Sequence, residues 1–114
     1  MPRLKAIVAF LVWISLVTIG SLMPIDGPDI ESFIDYDKIV HVIFYLVMTY
    51  LLLISISQQR TKIILLAIII CSGYGVIMEC LQGALDLGRY FDYYDIIANI
   101  IGSLVGALIY RLTI

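Results

Sequence analysis

The sequence predicts an all-α membrane protein, with four transmembrane helices in two hairpins and both termini cytoplasmic. Three observations carry this reading. Of the 114 residues, 62% are hydrophobic and 14% charged, with a mean hydropathy of +1.07. That is more apolar surface than a soluble domain of this size hides. The apolar residues fall into four runs of about 20, the length that crosses a hydrocarbon core. The runs are continuous rather than alternating, which excludes a closed β-barrel.

The first run covers residues 4–23 and follows Arg3 and Lys5. It exceeds the apolar core of a secretory signal and lacks a small-x-small cleavage pattern before Pro24, so it reads as a span. Pro24, Gly27 and Pro28 break that helix and open an acidic loop over residues 24–37, with Asp26, Asp29, Glu31, Asp35 and Asp37. The second run covers residues 38–57 and ends in a tight turn, Ser57-Gln58-Gln59-Arg60-Thr61-Lys62. The third covers residues 63–82. The loop that follows, residues 83–92, is bracketed by Gly83 and Gly88 and carries Asp86, Arg89 and Asp92. The fourth run covers residues 93–112 and ends at Arg111. The excess of Lys and Arg places both termini and the middle turn in the cytoplasm, and the two acidic loops outside. The spans use nearly the whole chain, so one domain is expected over residues 1–114. The net charge of -2 reflects the loops and implies no nucleic-acid partner. Cys71 and Cys80 share one predicted helix, about 13 Å apart by helical rise, too far to bridge each other.

Polar groups inside a membrane helix are costly and tend to mark a site. Asp37, His41 and Tyr45 recur every four residues in the second span. Gly75, Glu79 and Gln82 share a face of the third. Asp92, Asp95 and Asn99 line a stripe of the fourth that continues as Gly102 and Gly106. All three stripes end at the same surface, which predicts a polar pocket open to the outside. Asn99, about 10 Å below Asp92 by helical rise, and Tyr45 form its expected floor, with no polar group deeper on the stripe.

In this pocket His41, Glu79 and Asp95 are the candidate catalytic residues, since histidine and desolvated carboxylates suit proton transfer near neutrality. Asp37, Lys38, Tyr45, Gln82, Arg89, Asp92 and Asn99 are candidates for substrate binding, with Lys38 and Arg89 on phosphate. Gly75, Gly102 and Gly106 are expected to let helices pack closely. Plainer readings stand beside these. Asp37 and Asp92 also suit helix caps. Lys38 and Arg89 also suit neutralising nearby acids or lipid phosphate, and His41 and Tyr45 also suit interfacial packing. Glu79 also suits snorkelling to the surface. Asp37 with His41 and Asp95 with Asn99 repeat one spacing, an acid and a polar residue four later, as a duplicated hairpin would; acids at helix starts also explain it. A metal-assisted variant using His41, Glu79 and Asp95 has only one histidine and scattered carboxylates, a poor ligand signature. Neither a metal nor another cofactor is expected.

These residues resemble the VanZ-like family of small bacterial membrane proteins. The resemblance rests on Asp37-Lys38-x-x-His41-x-x-x-Tyr45, Tyr74-Gly75-x-x-x-Glu79-x-x-Gln82, and Arg89-x-Phe91-Asp92-x-x-Asp95-x-x-Ala98-Asn99-x-x-Gly102-x-x-x-Gly106. Val42 departs from the aromatic expected after the histidine. The family takes its name from a protein linked to resistance to teicoplanin, a glycopeptide that binds cell-wall precursors outside the membrane. The resemblance therefore implies a multi-pass plasma-membrane protein whose outward-facing site binds or modifies an anionic lipid-linked envelope component, with membrane lipid and a lipid-linked cell-wall precursor as partners, and a link to glycopeptide resistance. Some relatives carry a phosphotransbutyrylase label. A cytosolic acyl phosphate would meet the wrong face, and the chain has no phosphate-cradling glycine loop. Two other classes account for the same residues: a transporter or proton-linked component, and a structural or regulatory scaffold in which the polar cluster locks the hairpins together.

Overall fold

The structure, a computed structural model, describes residues 2–23, 30–85, 88 and 90–114, and of these the side chains of Pro2 and residues 30–36 are left aside. It contains helices α1 (Pro2–Leu22), α2 (Ile30–Ile56), α3 (Thr61–Ala84) and α4 (Tyr93–Thr113). Each has the length and apolar character to cross a membrane, and there is no strand among the described residues. Three helices start and stop close to the expected span ends. The exception is α2, which begins at Ile30 inside the expected loop of residues 24–37. Hydropathy marks where a span enters the hydrocarbon, whereas the helix continues outward through the acidic stretch of residues 31–37. Negative charge is favourable in the first turns of a helix.

Local chemistry sets the other ends. Asp92 caps α4, its Oδ1 accepting the Tyr94 N–H at 2.9 Å. Ser57 ends α2 in a left-handed conformation with φ 58°, its hydroxyl donating to the Ile54 carbonyl at 2.6 Å. The Tyr110 hydroxyl donates to the Gln58 carbonyl at 3.0 Å, tying the last turn of α4 to the α2–α3 turn. The start of α4 lies at the other end of the bundle, beside the start of α2 and the end of α3.

Large apolar side chains such as Leu11, Leu66, Ile69, Leu104 and Leu108 point outward, while Asp37, His41, Thr49, Glu79, Gln82, Asp95, Asn99 and Ser103 are buried. This inversion is the arrangement a lipid solvent selects, because each buried polar group needs a partner inside the protein. Helix α1 packs on α2 through Trp13, whose indole N–H donates to the Phe44 carbonyl at 2.9 Å while the two rings meet edge to face at 5.9 Å. It meets α3 through a hydroxyl contact between Thr18 and Tyr74 and does not reach α4.

The most extensive contact joins α2 to α4, across the two hairpins rather than within either. The buried stripe of α4 runs Asp95, Ala98, Asn99, Gly102, Ser103, Gly106, Ala107, Tyr110, nearly all of it small or polar until the last position. A Cβ at Gly102 would collide with the backbone carbonyl of Val42, and one at Gly106 with that of Leu46. The two backbones thus touch, as small-xxx-small interfaces in membranes do. Gly73 gives a control, since a Cβ there would meet nothing within 4 Å. Gly102→Ala and Gly106→Ala are each expected to cost about 1–3 kcal/mol from overpacking. Gly73→Ala is expected to be neutral or to stabilise by up to about 1 kcal/mol. Thermal melting of the detergent-solubilised protein checks the contrast, and equal melting of all three variants would contradict the close α2–α4 contact.

Candidate functional site

The register set by Gly102 and Gly106 aligns Asp37 and His41 of α2 with Asp95 and Asn99 of α4. His41 is the centre. Its Nδ1–H donates to Asn99 Oδ1 at 2.8 Å, since an amide oxygen only accepts. Its Nε2 then faces two carboxylates, 3.4 Å from Asp37 Oδ1 and 3.5 Å from Asp95 Oδ2. Lys38 holds the outward oxygens of the same acids. Its Nζ lies 2.5 Å from Asp95 Oδ1 and 3.4 Å from Asp37 Oδ2, and it also reaches Asp92 Oδ2 at 2.7 Å. Asp92 therefore does two jobs, capping α4 with one oxygen and pairing Lys38 with the other.

Helix α3 closes the site from the third side. Glu79 is fully buried, and its Oε1 accepts the Asp92 backbone N–H at 2.8 Å. Its Oε2 has no hydrogen-bond partner, and the carboxylate faces Asp95. Snorkelling is excluded by this burial. Gly75 provides room: a Cβ there would press on Asn99 Nδ2 at 2.7 Å and on the Tyr45 ring at 3.1 Å. Tyr45 is buried beneath the cluster, its hydroxyl unpartnered.

Asp37, Lys38, His41, Glu79, Asp92, Asp95 and Asn99 are thus brought into one network, with Tyr45 and Gly75 packed on Asn99. Gln82 turns away to α1, donating to the Ser21 carbonyl at 2.7 Å. Arg89 lies outside the described residues, as does Asp86. Contrary to the sequence expectation, the stripe does not become apolar below Asn99. Thr49, beside Cys71, and Ser103 are fully buried, and the hydroxyls of Ser103 and of Ser72 on α3 are unpartnered. The signal for two of them was the four-residue period: Thr49 follows Tyr45, and Ser103 follows Asn99. Short hydroxyl side chains are common in membrane helices and raise no hydropathy alarm.

A four-helix membrane bundle with a carboxylate–histidine–lysine cluster at one end is the class that the fold and the site define. The chain belongs to the VanZ/LLP1 family, whose sequence model matches residues 4–114. No curated protein and no solved structure matches it.

Asp92 lies just outside the fourth span, and its contact with the Lys38 ammonium holds its carboxyl below the usual carboxylate range, aided by the Tyr94 N–H. A lowered folded-state value means stability that is present above the ordinary carboxylate range and lost as pH falls through the depressed value. Lys38→Met is expected to move the Asp92 titration back up towards that range. Carbon-13 chemical shifts of the labelled carboxyl against pH measure the midpoint, and an unchanged midpoint would remove Lys38 as the cause.

Proposed function

We propose that this chain binds, and at its buried acid–base cluster acts on, the headgroup of an anionic lipid-linked component of the cell envelope, from the outer face of the plasma membrane. The observation that carries the reading is the graded depth of the cluster. Lys38 and Asp92 are partly exposed at the end of the bundle, their side chains 40% and 29% open, while Asp95, His41 and Asn99 directly behind them are buried. On this reading a lipid headgroup sits at the depth of that mouth. Lys38 and Asp92 meet it, Asn99 orients the His41 ring, and His41 with Asp37 and Asp95 forms a relay in which a proton is held or passed at Nε2. The outward orientation is supported by charge: Arg3, Lys5, Arg60, Lys62 and Arg111 all belong to the opposite end of the helices.

A proton-linked role is the second reading. The buried hydroxyls of Tyr45, Thr49 and Ser103 prolong the polar stripe past Asn99, and a proton path needs such groups at successive depths.

Asp95→Asn separates these readings, because it keeps shape and removes charge. For the headgroup site, native mass spectrometry of the detergent-extracted protein is expected to find a co-purified anionic lipid-linked species in the wild type that the folded variant lacks. Two folded and equally empty proteins would sink that reading and favour the proton-linked one, which pH-dependent flux in vesicles then tests. Orientation has its own check. With Cys71 and Cys80 replaced by serine, Asp86→Cys is expected to react with a membrane-impermeant thiol reagent on intact cells; labelling only after permeabilisation would reverse the topology.

A further inference from the structure

The described cluster has four carboxylates, those of Asp37, Glu79, Asp92 and Asp95, against one lysine that three of them already hold. The spacing around His41 marks where a second cation fits. A protonated ring nitrogen bonds a carboxylate at about 2.7–2.9 Å, yet Nε2 stands 3.4 and 3.5 Å from its two carboxylate oxygens. Those separations are long for charge-assisted hydrogen bonds. They match the edge of a ligand tetrahedron, about 3.3–3.6 Å when metal–ligand bonds are ~2.0–2.2 Å.

From these contacts the geometry points to a divalent-cation site formed by Asp37 Oδ1, His41 Nε2 and Asp95 Oδ2, taking zinc or manganese. One donor atom from each residue lies within 4.8 Å of the others. The surroundings are those of metal ligands, whose remaining atoms are held by partners that fix their orientation. Asn99 Oδ1 takes the other ring nitrogen of His41, and Lys38 Nζ holds the other oxygen of Asp95 at 2.5 Å and lies 3.4 Å from that of Asp37. Glu79 supplies an independent sign. Its Oε2 is a fully buried carboxylate oxygen whose one facing group is another carboxyl, that of Asp95. An unpaired carboxylate oxygen in that position is costly without a cation or a proton donor nearby. The donor set differs from the one considered from sequence: Asp37 joins His41 and Asp95, while Glu79 stands behind. One imidazole with carboxylates suits zinc or manganese better than softer metals. Three protein ligands leave a position for an outer oxygen, such as one from a headgroup phosphate. Only the identity of that outer ligand rests on the headgroup reading.

The test uses the full chain in detergent, stripped with a chelator and titrated separately with Zn²⁺, Mn²⁺ and Co²⁺, with no lipid added. Metal content is read by mass spectrometry, and cobalt geometry by its visible absorption. About one ion per chain is expected, with a tetrahedral or five-coordinate cobalt spectrum. His41→Gln and Asp37→Asn are expected to bind at least about 100-fold more weakly, and Asn99→Ala about 10–100-fold more weakly through loss of ring orientation. Size-exclusion profiles matching the wild type establish that each variant is folded. A folded wild type that binds none of the three ions overturns the proposal whatever the variants do, as does undiminished binding by folded His41→Gln. Metal bound without any anionic lipid, even in metal-replete native mass spectra, would leave the cation site standing and remove the headgroup reading.

Discussion

The contact of the α2 and α4 backbones at Gly102 and Gly106 is the constraint on which the rest of the molecule depends. Lipid gives two apolar helices little reason to associate, so close packing and interhelical hydrogen bonds must supply it. Where the Gly102 and Gly106 backbones meet the carbonyls of Val42 and Leu46, the helices cannot slide by a residue without a collision. The fixed register is what carries His41 to Asn99 and Lys38 to Asp92 and Asp95, side chains more than fifty positions apart in the chain. Helices α1 and α3 then close the bundle, α1 through Trp13 and α3 through Gly75, whose missing side chain admits Asn99 and Tyr45.

Much of this was legible in the sequence, for identifiable reasons. Four spans follow from run length, because the bilayer thickness leaves little freedom. The polar stripes follow from the helical period. Gly102 and Gly106 were readable as packing residues, but their partners were not: nothing in the sequence of α2 marks the Val42 and Leu46 carbonyls, which are backbone atoms that any residue presents. The second span was legible to within a residue at each end, as Asp37–Ile56, but the helix that carries it starts earlier, at Ile30, because hydropathy is blind to helix that continues outside the hydrocarbon. Gln82 was grouped with Glu79 by its face, yet three residues along a helix turn a side chain by about 60° away, enough to meet Ser21 of α1 instead.

The roles of the ionic residues were the least legible, since role depends on distance. Lys38 read either as a phosphate contact or as a neutraliser of nearby acids, and three carboxylates take its ammonium group within 3.4 Å. Its main effect is to orient acids, and through them the space around His41 Nε2. Asp92 read as either a cap or a ligand and serves as cap and ion-pair partner together.

The scaffold reading has to explain why so much charge sits at this interface. Helix pairing in lipid is achieved by small residues and a few neutral polar contacts, and the α2–α4 stripe already provides both in Gly102, Gly106 and the His41–Asn99 pair. Breaking a buried ionic network is costly, yet an apolar replacement of the whole is often neutral or stabilising, so ionic groups are a poor route to stability alone. Here the carboxylates outnumber the one lysine, and one oxygen of Glu79 faces only the carboxyl of Asp95. A lock would be built with its charges satisfied internally. An arrangement that leaves negative charge focused on one imidazole nitrogen is instead suited to something that arrives from outside the chain and carries positive charge.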